Sequence, residues 1–350
     1  MRCVALLSGG LDSILAIRLM QQQGIEVEAL NFKTLFTCCQ DQSARAAHDL
    51  GVRLTILGHD DDYLDLIARP RFGYGRGANP CIDCRIYMFR RAADFMADVG
   101  AAFVVSGELV GQRPKSQKRR DLSLIALHSG LDDLLLRPLS ARCLPPTRPE
   151  REGWVDRQAL GSFTGRSRKG LIELAHRLGI RSIPTPSTGC ALTEVPFSRK
   201  VFDLVQLEAS PTRWDFELLK VGRHYRFDAA TKVVVGRRES DNERLRGMFQ
   251  RADAPASALI TPESFLGPTS LIVGVVSEPA LDFAGGLTLR HTNPDALPLA
   301  GQPTVVVNNR QGQIRRPILH NAASASAVNV AEQRMEPGRR TQAASTDGRR

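Results

Sequence analysis

Six residues near the start of the chain constrain it most. The apolar run Cys3-Val4-Ala5-Leu6-Leu7 leads directly into Ser8-Gly9-Gly10-Leu11-Asp12-Ser13, and Leu11, Leu15 and Leu19 then follow at helical spacing as far as Gly24. Strand, glycine turn and helix in that order open a βαβ unit, which belongs in a parallel sheet. Two glycines let the backbone come close to a phosphate, and the helix behind them aims unpaired N–H groups at an anion. The hydroxyls of Ser8 and Ser13 can donate to phosphate oxygens. Asp12 would repel a phosphate but suits Mg²⁺. No Lys follows the glycines as a P-loop requires. A tight βα turn with capping side chains is the plain alternative for a bare Ser-Gly-Gly.

The remaining periodicities extend this pattern. Strand candidates at 27–32, 53–57 and 102–106 alternate with helical spacing at 41–50, 60–68 and 81–98. They predict an α/β fold with a doubly wound, mainly parallel sheet. At 350 residues, 42% hydrophobic and 24% charged, the chain is long and apolar enough for about two domains. Residues 1–145 read as the nucleotide-binding domain and 146–195 as a connecting segment, with a loop or linker at 143–149 and a helix at 168–179. Residues 196–320 read as a smaller α+β module, and 321–350, rich in Ala, Ser, Arg and Gln, as a disordered tail. In that module 215–227 and 231–239 look like a hairpin, 240–250 a helix, and 271–276 and 304–309 further strands. No apolar run reaches the length of a membrane span and the N-terminus lacks the features of a signal peptide, so a cytoplasmic protein without a membrane partner is expected.

Seven cysteines are too few and too odd in number for a disulfide framework. Asn79-Pro80-Cys81-Ile82-Asp83-Cys84-Arg85 opens the helix at 81–98, with Asn79 as the expected N-cap and Pro80 as the first helical residue. Cys81 and Cys84 then share one face of the first turn, where the helix end and Arg85 are expected to lower the thiol pKa. A pair of small buried residues is the plain alternative. A third thiol lies in Ser187-Thr188-Gly189-Cys190, and no second ligand pair points to zinc. Cys3 reads as core; Cys38, Cys39 and Cys143 carry no assigned role.

Taken together the three motifs resemble the tRNA 2-thiouridylase family, whose members carry SGGVDS, NPDxxCN-type and STGxCF-type segments in this order. The resemblance covers about residues 1–195, with echoes at Val105-Ser106-Gly107-Glu108 and at Arg120-Asp121-Leu122-Ser123. It implies an adenine nucleotide alpha-hydrolase-like PP-loop fold and ATP-dependent thiolation of a tRNA uridine. Leu6, Leu7, Ser8, Gly9, Gly10, Leu11, Asp12 and Ser13 would hold the ATP phosphates with Mg²⁺ at Asp12, Phe32 the adenine, and Gly107 would approach the nucleotide. ATP would adenylate the uridine C2 oxygen, a Cys190 persulfide would deliver sulfur, and Cys84 would release it. The implied partners are tRNA and a sulfur donor such as a cysteine desulfurase or a sulfur carrier protein.

The chain departs from the family in ways that matter. Cys81 stands where the family has an acidic residue, Glu108 replaces the His of its nucleotide-contacting turn, and Asp121-Leu122-Ser123 replaces Asp-Gln-Ser. Cys81, Cys84 and Cys190 also resemble the CxxC plus distant Cys of iron–sulfur-dependent tRNA thiolases, implying a possible [4Fe–4S] cluster on three thiolates.

The net charge of +10 suggests a polyanionic partner, although eight arginines against three acidic residues fall after residue 300. Two basic groups are the RNA-binding candidates: Arg113, Lys115, Lys118, Arg119 and Arg120, and Arg166, Arg168 and Lys169. Solvated loops are the alternative. Residues 218–223 and 235–242 resemble a small RNA-binding module fused to some such enzymes. Two rival functions remain: a PP-loop ligase or amidotransferase acting on a small molecule, with its cysteines idle, and a PP-loop protein that only binds RNA. Gly73-Tyr74-Gly75-Arg76-Gly77 follows no strand and reads as a flexible loop over the site rather than a methyltransferase motif.

Overall fold

The computed structural model describes residues 1–37, 40–186 and 189–333, so Cys38, Cys39, Ser187 and Thr188 lie outside the described residues. It divides into two compact units, Met1–Ala191 and a second beginning at Leu192.

The first unit is built on strands β1 (Arg2–Leu6), β2 (Glu26–Phe32), β3 (Arg53–Leu57), β4 (Phe103–Val105) and β5 (Leu135–Leu136). All pair in parallel, in the order β3-β2-β1-β4-β5. The helices are α1 (Leu11–Gln22), α2 (Gln40–Leu50), α3 (Asp61–Ala68), α4 (Cys81–Asp98), α5 (Arg119–His128), the single turn α6 (Arg148–Arg151) and α7 (Lys169–Arg177). Alternation along β1 sends Cys3 and Ala5 into one core with Leu15, Ile17 and Met20, and Val4 into another with Phe89, Val104 and Ile125. Both faces of the sheet are therefore covered, as expected of a doubly wound parallel sheet. Cys3 is core: burial pushes its thiol up to about 12. The stretch expected as a connection is packed into the first unit, with Leu160, Leu171, Leu174 and Ala175 joining the α1 core.

The chain runs outward from β1 to β2 and β3, then returns to place β4 on the other side of β1. This reversal is the switch point at which α/β folds open a crevice beyond the carboxyl ends of their strands. Glycines stand on both sides of it. Gly9 has φ +79°, and a Cβ there would lie 2.7 Å from the backbone of Gln42 at the start of α2. A Cβ on Gly107, just past β4, would lie 2.6 Å from the backbone of Asp12 and Ser13. The first turn of α1 is thus wedged between backbones that no side chain separates.

The second unit holds an antiparallel sheet in the order β11-β10-β8-β9-β7-β6. Its strands are β6 (Arg223–Arg226), β7 (Thr231–Val235), β8 (Ala256–Pro262), β9 (Ser270–Gly274), β10 (Thr304–Asn309) and β11 (Gly312–Pro317). Helices α8 (Val195–Leu207), α9 (Arg213–Leu218), α10 (Glu239–Gln250), α11 (Glu278–Arg290) and α12 (Ala322–Ser326) accompany it. The expected hairpin is half right. Asp215–Leu218 belong to α9, started by a capping box between Thr212 and Asp215, and only Arg223–Arg226 pair with β7. The expected tail is also partly structured: Ser324 and Val330 are each 1% exposed.

Gly107→Ala should force α1 away from β4 or distort its first turn. We expect a loss of about 1–3 kcal/mol, read by thermal unfolding.

Candidate active site

The pyrophosphate turn is organised by its own side chains. Ser13 Oγ donates to the Gly10 carbonyl at 2.8 Å and lies 3.3 Å from both the Ser8 amide and Ser8 Oγ. Asn31 Nδ2 donates to the Leu7 carbonyl at 2.7 Å, fixing the exit from β1. The N-cap of α1 is Gly10, and no side chain caps the helix. Its first amides are therefore left for solvent or an anion, which fits a phosphate. Leu7 and Leu11 are 1% and 3% exposed, so only their backbones face the turn. Leu6 and Phe32 close β1 and β2 as partly buried residues against the second core.

Asp12 stands in the first turn of α1. Its Oδ2 accepts a hydrogen bond from Gln112 Nε2 at 2.8 Å, and burial raises its pKa against that bond and the charges of Arg168 and Arg113. A carboxylate here fits one position of an Mg²⁺ shell completed by phosphate oxygens and water.

The second motif departs from expectation at its start. Pro80, not Asn79, is the N-cap of α4, and Cys81 is the first helical residue. The Asn79 side chain folds back instead: Oδ1 accepts from the Gly77 amide at 2.9 Å, and Nδ2 donates to Cys81 Sγ at 2.9 Å. The loop before α4 is pinned rather than loose. Asp83 accepts from the amides of Arg71 and Phe72, at 3.0 Å and 3.1 Å, and Tyr74 Oη donates to the carbonyls of Ile67 and Ala68. Asp83 is thereby spent on the loop.

Cys84 faces Tyr63 of α3, with Sγ 3.5 Å from the phenol oxygen. Burial pushes its thiol up to about 11; the Tyr63 hydrogen bond and the Arg85 charge pull the other way and lose. The expected lowering thus fails, for a visible reason. Arg85 turns toward Glu108, 3.4 Å away, and Arg137 also binds Glu108 at 3.1 Å. Glu108 and Arg137 are 3% and 6% exposed, so the turn after β4 carries a buried ion pair that Arg85 joins.

Cys190 acts electrostatically on the same two groups. The charge of its thiolate would raise the pKa of both Cys84 and Tyr63, so it lies within electrostatic reach of each. The next residue is tethered: the Ala191 amide donates to the Phe36 carbonyl, 3.1 Å away, in the turn after β2. Tyr63 is 2% exposed and packs against His59 and Tyr87, with ring centroids at 5.0 Å and 5.2 Å. Nothing in the sequence marked Tyr63, because its spacing in α3 is that of any core aromatic. As an iron–sulfur site the three thiols do not fit. Among the described residues no three His, Cys, Asp or Glu side chains converge as metal ligands, and Cys81 and Cys84 point to different partners.

The basic groups divide by setting. Lys118, Arg119, Arg120, Arg166 and Lys169 are exposed, and the first three crowd the N-terminal end of α5, where cations are disfavoured and an anion would be favoured. Lys115 is half-buried and donates to the Phe72 carbonyl at 3.4 Å.

Two family models match. Residues 1–132 match the tRNA methyl transferase HUP domain, and residues 222–329 match the NFACT protein RNA binding domain. The first unit is thus similar to a HUP domain and the second to an RNA-binding module. The chain's curated relatives narrow the first. A tRNA-specific 2-thiouridylase MnmA of Methylobacterium nodulans is 28% identical over 149 residues, covering 37% of this chain and 37% of the relative. A bifunctional protein NifU/MnmA of Rubrobacter xylanophilus is 30% identical, covering 34% of this chain and 28% of the relative. The tRNA-specific 2-thiouridylase MnmA 1 of Fusobacterium nucleatum is 30% identical, covering 29% of each. The chain thus spans roughly a third of the length of the curated relatives it matches. A 4-thiouridine synthetase–RNA complex with bound ATP aligns at TM-score 0.32 and 20% identity over 51% of each chain, a likeness too slight to argue from. No helix among the described residues is long and apolar enough to cross a membrane.

With a pKa of about 11, roughly one Cys84 in a thousand is thiolate at pH 8. Alkylation of Cys84 by iodoacetamide, followed by peptide mass spectrometry, should therefore be slow at pH 8 and climb as the pH approaches 11. Unfolding in denaturant should speed the pH 8 reaction greatly. A fast native reaction at pH 8 would contradict the enclosure of this sulfur.

Proposed function

We propose that this protein is an ATP-dependent tRNA sulfurtransferase that converts a uridine to its 2-thio form. The observation that supports the reading is that Cys84 contacts Tyr63 while Cys190, 106 residues further along the chain, lies within electrostatic reach of both. A ligase acting on a small molecule needs no such proximity, and a protein that only binds RNA needs neither the thiols nor Asp12.

In this reading the backbone of Leu6–Ser13 holds the phosphates, Phe32 borders the adenine, and Gly107 keeps the wall of the crevice free of side chains. Mg²⁺ bound with the nucleotide would neutralise phosphate charge beside Asp12. The uridine C2 oxygen attacks the α-phosphorus and pyrophosphate leaves, so a poor leaving group becomes AMP. The outer sulfur of a Cys190 persulfide then attacks C2. Cys84 gives up its proton, forms a bond to Cys190 Sγ and breaks the persulfide S–S bond. The freed electron pair makes the thiocarbonyl as AMP departs with the former C2 oxygen. The resulting Cys84–Cys190 disulfide needs a thiol reductant, and Cys190 needs a sulfane-sulfur donor such as a cysteine desulfurase or a sulfur carrier protein. Cys84 at rest is almost wholly protonated, which protects it until a substrate alters its surroundings. Lys118, Arg119, Arg120, Arg166 and Lys169 would meet tRNA phosphates, and the second unit would add further RNA affinity. Residues 1–145 with the segment to 195 would supply the chemistry.

Nucleoside mass spectrometry of tRNA from a deletion strain tests this. A 2-thiouridine derivative should vanish, return with the wild-type gene and stay absent with Cys190→Ser, while the purified variant still binds ATP. Unchanged thionucleosides in the deletion strain would refute the reading.

A further inference from the structure

The two basic groups look alike in the sequence, but one member of the second stands apart. Arg166 and Lys169 are exposed, whereas Arg168 between them is half-buried. Its Nη2 donates to the Pro184 carbonyl at 2.8 Å. Pro184 opens the segment that leads to Cys190, and the Ala191 amide ties the far end of that segment to the Phe36 carbonyl at 3.1 Å. Pro184 and Ala191, on either side of Cys190 in the sequence, are thus each held by a hydrogen bond, the first of them from Arg168.

The other side of Arg168 belongs to the pyrophosphate turn. Thr164 bridges Val110 in parallel, and the Gly165 amide donates to the Val110 carbonyl at 2.8 Å. Two residues beyond Val110, Gln112 reaches Asp12 Oδ2 at 2.8 Å. The stretches 110–113 and 164–168 therefore lie together beside the first turn of α1, and the charges of Arg168 and Arg113 act on the Asp12 carboxylate. A guanidinium carries five N–H donors in a planar fork. The Pro184 carbonyl uses one, and the rest suit phosphate oxygens, which such a fork can bind in pairs.

We propose that Arg168 is a positioning residue of the nucleotide site: it takes phosphate oxygens of ATP while holding the segment that carries Cys190, and so couples nucleotide occupancy to the placement of the sulfur. Arg166 and Lys169 belong to the RNA rim. The assignment rests on the reading of Gly9–Ser13 as an ATP site, but none of its tests uses thiolation.

Three quantities test it, measured on wild type, Arg168→Met, Arg168→Lys and Lys169→Met: ATP affinity by equilibrium binding without tRNA, tRNA affinity by filter retention without ATP, and the alkylation rate of Cys190 with and without ATP, read by peptide mass spectrometry. Arg168→Met should weaken ATP binding by about tenfold or more and leave tRNA affinity within about twofold. Lys169→Met should weaken tRNA binding. ATP should change the Cys190 alkylation rate in wild type and not in Arg168→Met. Arg168→Lys, keeping charge but losing the fork, should fall between. Thermal unfolding identifies any variant that fails to fold, and Arg168→Lys then carries the comparison. The proposal is overturned if Arg168→Met weakens tRNA binding with ATP affinity intact, or if ATP still alters Cys190 reactivity in that variant. Wild type that binds no ATP would sink both this assignment and the reading beneath it, whereas wild type that binds ATP but thiolates no tRNA would sink only the latter.

Discussion

The structure of the first unit depends on a contact made without side chains. The start of α1 has the α2 backbone on one side, at Gly9, and the turn after β4 on the other, at Gly107. A methyl group at either place meets backbone atoms well inside contact distance, and backbone cannot yield as a flexible side chain can. Because the strand order reverses here, the same closeness that packs the helix also shapes the crevice beyond the strand ends. The uncapped amides of α1, the Asp12 carboxylate and the arginine-bearing stretches then meet at one point. In the proposed reading, packing and anion recognition are the same feature of this fold.

Beside that point, electrostatics and burial compete over Cys84, and burial wins. Arg85 follows it directly, yet its guanidinium is drawn to Glu108, which Arg137 also holds from within the core. A buried carboxylate between two arginines is costly to assemble and more costly to break. It orients the turn after β4 at the expense of activating the neighbouring thiol. Tyr63 lies 3.5 Å from the sulfur, and the charge of Cys190 acts on both groups.

Much of this was legible in the sequence, and the parts that were not share a cause. The tight turn at Gly9 could be read because close backbone approach and a positive φ demand glycine there. The alternation of strands and helices up to β4 was equally plain, since parallel strands buried on both faces are runs of apolar residues. The short β5 hid in Leu134-Leu135-Leu136, where no periodicity exists over two paired residues. Strand β8 was missed between small residues, and the β11 strand Gly312–Pro317 because its residues are almost all exposed and show no apolar alternation. Asn79 was misjudged as a cap because Pro80 adopts that place and frees the amide to hold the loop. The expected acidity of Cys84 failed because burial of the thiol outweighs the helix end and the Arg85 charge. Tyr63, Gln112 and the tie from Arg168 to Pro184 are long-range contacts that leave no local trace in the sequence.

The central claim is that two sulfurs far apart along the chain share one site. Mild oxidation of the native, reduced protein, followed by non-reducing digestion and mass spectrometry, tests it most directly. The account predicts a peptide pair joined through Cys84 and Cys190 as the dominant product. Cross-links confined to Cys81–Cys84, or pairing of Cys190 with some other thiol while Cys84 stays free, would contradict it.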